Sequence, residues 1–173
     1  VDFFFFFGQT YWQILPAGPT GYGDSPYQSF STFAGNPYFI DLDELVSEGL
    51  LLREECDKAD FGENAQYVDY EKQYYNRFPL LKKAFQRFVT AGGQEREAYV
   101  AFCEENKYWL DDYALYMAVK NYYGGKSFQE WDEDIRMNDV LACDKYREEC
   151  REDYDFYCFL QFEFRQQWMA WKA

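Results

Sequence analysis

The longest periodic pattern in the chain runs from Glu95 to Tyr123, and it predicts a long helix. Gly124 and Gly125 follow directly and stop that helix. The apolar side chains that recur with the 3.6-residue period are Phe102, Trp109, Leu110, Tyr113, Ala114 and Met117. This stretch is the clearest secondary-structure signal in the sequence, and it makes helix the dominant element of the fold.

Two shorter segments also carry helical signals. Asp41 is placed to cap a helix that Gly49 ends. The segment 68–89 is predicted to be helical, with Pro79 kinking or restarting it because proline lacks the backbone N–H. The apolar side of this second segment is formed by Leu80, Leu81, Ala84, Phe85 and Phe88.

The segment 139–172 is predicted to be a second long helical stretch. Its last part, YDFYCFLQFEFRQQWMAW, carries aromatic residues on nearly every face. Such a distribution is typical of a helix that packs on several sides.

The beginning of the chain has a different character. Tyr11 to Leu15 is a short apolar run ended by Pro16, and we interpret it as a buried strand. A long loop rich in Gly, Pro and Tyr then runs from Pro16 to Pro37, and loops of that length are usually functional or disordered. One strand cannot close a sheet, so we expect the rest of the sheet to lie outside this chain. The pattern fits one βα unit with a large helical insertion.

Charge and composition exclude several classes of partner. The chain has 17 Lys and Arg against 31 Asp and Glu, a formal net charge of −14. This charge repels phosphate backbones and anionic membrane surfaces, so neither nucleic acid nor a membrane is expected as a partner. No apolar run approaches the length of a bilayer span, and no signal-peptide features appear. We therefore expect a cytoplasmic protein.

The chain contains no histidine, which removes Ser-His and Cys-His catalysis and His-ligated zinc. Its five cysteines are odd in number and lack close metal-type spacing, so they are interpreted as reduced thiols. No phosphate-binding glycine motif or ion-binding loop pattern is present. The sequence predicts neither a metal nor a cofactor.

Aromatic residues make up 23% of the chain. Tyr and Trp offer both a flat apolar ring and a hydrogen-bonding group, which suits a core but also suits a sugar. On the loop, the candidates for ligand binding are Tyr22, Asp24, Ser25, Tyr27 and Gln28. In parallel α/β barrels the binding groups lie on loops after the carboxyl ends of strands. A surface loop held by Pro and Gly, with its tyrosines packed down, is an equally good interpretation of these residues alone.

The stretch LPAGPTGYGDSPYQSFSTFAGNPYFIDL resembles the start of the 4-α-glucanotransferases, the amylomaltases or disproportionating enzymes of glycoside hydrolase family 77. Further matches follow in the same order: VDY at 68–70, WLDDYALYMA at 109–118 and FLQFEFRQQW at 159–168. The resemblance covers nearly the whole chain.

This resemblance implies an α/β fold that is part of a (β/α)8 TIM barrel, with one early strand and its loop plus a mainly helical inserted subdomain. Residues 1–40 would hold the barrel strand and the substrate loop, 41–138 the helical insertion, and 139–173 a long helix returning to the barrel. It also implies retaining transfer of α-1,4-glucan segments through a covalent glycosyl-enzyme. The family's catalytic carboxylates lie on later strands, so no residue here is nominated as catalytic, and we expect the chain alone to be inactive.

The resemblance assigns roles within the loop and beyond it. Asp24, Ser25, Tyr27 and Gln28 would bind substrate, while Tyr22 and Tyr74 match aromatic positions linked to a secondary glucan contact. Packing of Tyr74 within its own subdomain is an equally good interpretation. The expected partners are α-1,4-glucans such as maltooligosaccharides, starch or glycogen. Two alternatives stay open, a related α-glucan hydrolase and a non-catalytic starch-binding or interaction module.

Overall fold

The computed structural model describes residues 6–8, 10–11, 13–21, 23–64 and 66–172. The main helices of this part of the chain, in order, are α1 (Leu42–Ser47), α2 (Arg53–Asp57), α3 (Phe78–Thr90), α4 (Glu97–Tyr122), α5 (Glu133–Arg136), α6 (Val140–Glu149) and α7 (Arg151–Lys172). Turns of 3-10 helix cover Pro37–Phe39, Gly93–Glu95 and Phe128–Glu130.

Helices α4 and α7 pack along each other and form the centre of the fold. Every residue of α7 in the range 156–163 is buried, which confirms the prediction of a helix packed on several sides. The ring of Phe159 lies 5.0 Å from that of Phe88 on α3, and the ring of Phe162 lies 5.3 Å from that of Tyr99 on α4. Burial of each such side chain contributes about 1.5–3 kcal/mol, so the packing of α7 contributes substantially to the stability of the fold.

A second cluster of buried residues lies at the carboxyl end of α4. Trp131 and Ile135 pack there against α4 and against Tyr146 of α6. The hydroxyls of Tyr146 and Tyr123 are 2.6 Å apart, and Tyr146 also donates to the Asp132 carboxylate at 3.2 Å. This cluster fixes the segment between α4 and α6 against the helical frame.

The predicted helical stretch 139–172 is divided into α6 and α7. The break lies at Cys150, whose φ of −105° and ψ of 23° depart from helical values. Asp139 caps α6 by accepting from the backbone N–H groups of Leu141 and Ala142. Because neither Pro nor Gly marks the break, the sequence pattern did not reveal it.

The predicted start of α3 is confirmed in an unusual form. A single α-turn, Tyr70–Lys72, passes into a π-helical stretch, Gln73–Arg77, directly before α3. Pro79 is the second residue of α3, which follows the π-helical residues directly, so it lies inside one continuous helical run. In a regular α-helix, the ring of Pro79 would clash with the carbonyl of the preceding turn. The π-helical turn lies at this point of the chain and accommodates the proline.

The predicted ends of α1 are also confirmed. The Asp41 side chain accepts from the Asp43 N–H at 2.8 Å, as an N-terminal cap does. At the other end, Gly49 has a φ of 76°, the left-handed conformation that favours glycine after a helix.

The predicted strand from Tyr11 to Leu15 is wrong for the residues that the structure describes. Tyr11 is 94% exposed, Ile14 and Leu15 are also exposed, and none of the three belongs to a strand. A strand needs a neighbour to pair with its backbone, and no described segment supplies one here. The described residues form no named strand, so the predicted partial barrel is not confirmed and the described fold is helical.

No described helix combines the length and the hydropathy that crossing a bilayer requires. All five cysteines are free in the structure. No grouping of Cys, Asp and Glu suited to a metal ion occurs among the described residues.

Glu163 is a buried acid inside α7, only 2% exposed. Burial raises the pKa of its carboxyl from 4.5 to about 8; the Glu48 carboxylate adds to the rise and Arg96 opposes it. The folded chain therefore holds a proton on Glu163 at neutral pH. Because the folded pKa exceeds the unfolded one, the contribution of Glu163 to stability is fully present below pH 4.5 and is lost as pH rises through about 8.

We expect Glu163→Gln to remove this decline. Between pH 5 and pH 9 the wild-type protein should lose on the order of 4 kcal/mol more unfolding free energy than the variant, since ionisation of a buried carboxyl is costly. Urea unfolding of the purified protein at the two pH values measures the difference. Glu149→Gln, at an exposed site on α6, is the matched control. Equal pH dependence of the unfolding free energy in Glu163→Gln and wild type would contradict the raised pKa of Glu163.

Candidate functional site

The loop before α1 is closed by hydrogen bonds of its own. Thr20 and Ser29 form an antiparallel β-bridge, and the Gly21 N–H donates to the Gln28 carbonyl at 3.3 Å. Asp24 then turns the chain with a φ of 53°, a left-handed conformation that Asp tolerates better than most residues. The loop is therefore a small folded unit with a defined tip.

The tip carries the four residues that the sequence nominated for substrate binding. The Thr20 hydroxyl donates to the Asp24 carboxylate at 3.5 Å, and the Gln28 N–H donates to the Ser25 carbonyl at 3.0 Å. Tyr27 is 75% exposed, and Gln28 is also exposed. The structure thus brings together a carboxylate, a hydroxyl, an amide and an accessible aromatic ring.

The base of the loop is anchored to α7 by a buried glutamine. The Gly35 N–H donates to Gln161 Oε1 at 2.7 Å, and Gln161 Nε2 donates to the Gly35 carbonyl at 3.0 Å. A Cβ on Gly35 would overlap the ring of Phe164, so the backbone approaches α7 as only glycine allows. Next to it, the Asn36 N–H donates to the Ala17 carbonyl at 2.8 Å and joins the two ends of the loop.

A second glutamine repeats this arrangement one step further along both segments. The Asp41 N–H donates to Gln167 Oε1 at 2.6 Å, and Gln167 Nε2 donates to the Asp41 carbonyl at 3.2 Å. Each glutamine side chain pairs with both backbone groups of one residue, as a neighbouring strand would. The segment between the loop and α1 is thereby fixed along α7.

Tyr38 connects the loop tip with the helix that leads into α3. Its ring packs against Tyr70 and Phe78 at centroid distances of 5.9 Å each. Burial raises the pKa of Tyr38 to about 12, and the nearby Asp24 carboxylate adds to the rise, followed by Tyr74 and Tyr70. Asp24 and Tyr74 therefore both lie within electrostatic reach of the Tyr38 hydroxyl.

Tyr74 lies on the π-helical turn and is half exposed. Its ring contacts Tyr75 at 5.3 Å and Phe78 at 5.4 Å, so one side packs while the other faces solvent. Tyr22, the other residue of the predicted secondary contact, lies outside the described residues. The role of both in glucan contact stays a prediction.

The sequence interpretation did not nominate Gln161 or Tyr38. A signal for Gln161 was present, because it is a polar residue inside the apolar run CFLQFEF of a helix that was expected to be buried on all sides. A buried side-chain amide needs partners, and here the partners are the backbone of Gly35. Tyr38 carried no such signal, since its significance comes from contacts with distant residues.

An exposed ring near a carboxylate and a hydroxyl, on a loop that is hydrogen-bonded to α7, is an arrangement suited to binding a sugar. The sequence comparison is in agreement. The family model for glycoside hydrolase family 77, described as 4-alpha-glucanotransferase, matches residues 1–173, and the chain belongs to this family.

Individual relatives support the same family assignment. A 4-alpha-glucanotransferase of Clostridium butyricum is 44% identical over 161 residues, which cover 93% of this chain and 32% of that protein. A 4-alpha-glucanotransferase of Streptococcus pneumoniae is 47% identical over 174 residues, covering 100% of this chain and 34% of that protein. The chain thus spans about a third of the length of these relatives.

A solved structure shares the fold. It is described as amylomaltase from Streptococcus agalactiae in complex with acarbose, and it aligns with a TM-score of 0.89 at 36% sequence identity. The alignment covers 98% of this chain and 34% of that chain. The helical arrangement described above is therefore that of the corresponding part of an amylomaltase.

Proposed function

We propose that this chain is part of a 4-α-glucanotransferase that moves α-1,4-glucan segments from one chain to another or to glucose. The observation that carries the proposal is the family match across the whole chain, which includes the loop of Asp24 and Tyr27. The amylomaltase with the similar structure was solved in complex with acarbose, which supports a glucan as the ligand.

In this proposal the chain supplies residues that bind the substrate, and the catalytic residues come from elsewhere in the protein. Retaining transfer needs a carboxylate nucleophile and a carboxylic acid roughly 5 Å apart, and the loop between Thr20 and Ser29 holds a single carboxylate, that of Asp24. The reacting pair would come from a (β/α)8 barrel formed with parts of the protein beyond this chain. The covalent glycosyl-enzyme would form on that barrel.

Each loop residue has a defined task in binding. The Asp24 carboxylate accepts hydrogen bonds from sugar hydroxyls, the Ser25 hydroxyl and the Gln28 amide both donate and accept, and the Tyr27 ring covers the C–H face of a glucose. Tyr74 offers a further ring on the π-helical turn, and Tyr22 would be the second residue of this secondary glucan contact. Anchoring through Gln161 keeps these groups in register, since small displacements of binding groups are costly for rate.

The proposal is tested by the products that the full-length protein makes from maltotriose. We expect glucose together with maltotetraose and longer oligomers, because a sugar hydroxyl accepts the transferred segment. Glucose and maltose alone would instead indicate a hydrolase of the same family chemistry. Absence of any turnover, with retention on starch, would favour the binding module and overturn the proposed transfer.

A further inference from the structure

The segment 35–41, at the base of the candidate loop, is held from two different elements. Two glutamine side chains of α7 hold its two ends. Within the segment, the Ile40 carbonyl accepts a hydrogen bond from Arg77 Nη1 at 2.6 Å. Arg77 is the last residue of the π-helical turn Gln73–Arg77, so this hydrogen bond joins the base of the loop to the π-helical turn.

The Arg77 side chain has defined contacts on every part of its guanidinium. Nε donates to Gln73 Oε1 at 3.0 Å within the π-helical turn, and the guanidinium carbon lies 5.6 Å from the centre of the Phe61 ring. The carbonyl that Nη1 reaches belongs to Ile40, a residue that is only 1% exposed. Because a guanidinium is planar and holds its donors in a fixed fork, these contacts define one position for the group. Arg77 therefore sets the distance between the π-helical turn and the segment 35–41.

Arg77 is a half-buried cation that its surroundings do not neutralise. It forms no ion pair among the described residues, and its two acceptors are a backbone carbonyl and a side-chain amide. Burial lowers the pKa of its guanidinium, and the Asp41 carboxylate opposes this change only in part. A charge taken out of water without a counter-charge costs free energy. The net gain in stability from Arg77 is therefore small, and its specific contribution is the fixed position of its donors.

The residue that this arrangement places is Tyr38, which lies on the 3-10 turn that ends at Ile40. The Tyr38 ring packs against Tyr70 and Phe78, which lie just before and just after the π-helical turn. The Asp24 carboxylate of the loop tip lies within electrostatic reach of the Tyr38 hydroxyl. A shift of Ile40 would move Tyr38 and, with it, the surroundings of Asp24.

We propose that Arg77 is a positioning residue for substrate binding, which holds the turn of Tyr38 against the π-helical turn and thereby keeps the Asp24 carboxylate in place. Arg77 itself touches no substrate. The inference rests on the proposed function, since it needs the loop tip to contact the glucan. The loop supplies binding groups and not reacting groups, so their misplacement weakens binding in the ground state and the transition state alike. Such a change raises KM and leaves kcat nearly constant.

The test compares two arginines that make the same kind of contact. Arg87 on α3 also donates from Nη1 to a backbone carbonyl 37 positions earlier in the chain, that of Leu50. Arg87 differs because it pairs with the Glu55 carboxylate and has no hydrogen bond to the loop. Arg77→Met and Arg87→Met, which both remove the donors and retain an unbranched apolar stem, are made in the full-length protein. Initial rates over a range of maltotriose concentrations give kcat and KM, and thermal melting establishes that each variant is folded.

We expect Arg77→Met to raise KM for maltotriose about fivefold, with kcat unchanged within about twofold. Arg87→Met should lower the melting temperature, because it breaks an ion pair, while both kinetic constants stay at their wild-type values. Arg77→Lys retains the charge but not the fork of donors and should raise KM about twofold. This milder variant carries the test if methionine at position 77 prevents folding.

A double-mutant cycle with Asp24→Asn establishes whether Arg77 acts through the loop tip. In the Asp24→Asn background, Arg77→Met should raise KM by less than about twofold, because the carboxylate that Arg77 positions is already absent. An Arg77 that only stabilises the fold would change KM by the same factor in both backgrounds.

A wild-type KM in every Arg77 variant that folds would overturn the inference. Equal rises of KM in Arg77→Met and Arg87→Met would also overturn it, and so would the same factor with and without Asp24→Asn. In each of these cases the wild-type protein still turns over maltotriose, so the proposed function stays intact. A wild-type protein that does not turn over maltotriose would refute the proposed function itself, so the two failures are distinguishable.

Discussion

Replacing Gly35 with alanine is expected to destabilise the protein by about 3 kcal/mol. The new Cβ would overlap the ring of Phe164, and Gly35 cannot retreat because Gln161 holds both its N–H and its carbonyl. Either the ring leaves its position or one of two buried hydrogen bonds is lost. Urea unfolding of the purified protein measures the cost.

The matched control is the same substitution within the same loop. At Gly21 a Cβ would lie 3.4 Å from the Phe30 ring, an ordinary contact, so Gly21→Ala should change stability little. Adding Phe164→Ala to Gly35→Ala should recover roughly 1 kcal/mol relative to additivity, because the overlap disappears. Equal losses of unfolding free energy in Gly35→Ala and Gly21→Ala would contradict this account, and so would strictly additive losses in the double variant. Either result would mean that the close approach of Gly35 to α7 does not determine the cost of the substitution.

The largest expected effect on activity concerns the loop tip. Asp24→Asn and Tyr27→Ala are each expected to lower kcat/KM for maltotriose by about tenfold or more, and together by about 100-fold. A charge-assisted hydrogen bond contributes about 1.5–3 kcal/mol, and each 1.4 kcal/mol is a factor of ten. Asparagine tolerates the left-handed backbone at position 24 and retains an oxygen for the Thr20 hydroxyl, so the loss would report on the carboxylate alone.

Initial rates of the full-length protein over a range of maltotriose concentrations provide the measurement. Tyr67→Ala serves as the control, because it removes an equally exposed tyrosine outside the loop. If the two loop variants retain wild-type kcat/KM and melt normally, the loop tip does not touch the substrate.

Helices could be predicted from the sequence because their signals are local. The apolar period of α4 and the cap at Asp41 depend on residues a few positions apart, and the structure confirms both. The break at Cys150 was missed because no Pro or Gly marks it. The strand at Tyr11 was wrong because a strand depends on neighbours that the described chain does not supply.

The candidate site was predictable in part for the same reason. Asp24 and Tyr27 could be nominated because they lie in one short motif, and the loop's own turn brings them together. The two hydrogen bonds between Gly35 and Gln161 join residues that are 126 positions apart, so no local pattern reveals them. The position of Tyr38 likewise follows only from the packing of distant segments.

The measurement that tests the central claim most directly is a crystal structure of the full-length protein with acarbose bound. We expect a sugar hydroxyl within about 3 Å of the Asp24 carboxylate or the Ser25 hydroxyl, and a sugar ring against Tyr27. Acarbose bound in the protein without any contact to residues 24–28 would contradict the assignment of this loop as a glucan-binding element.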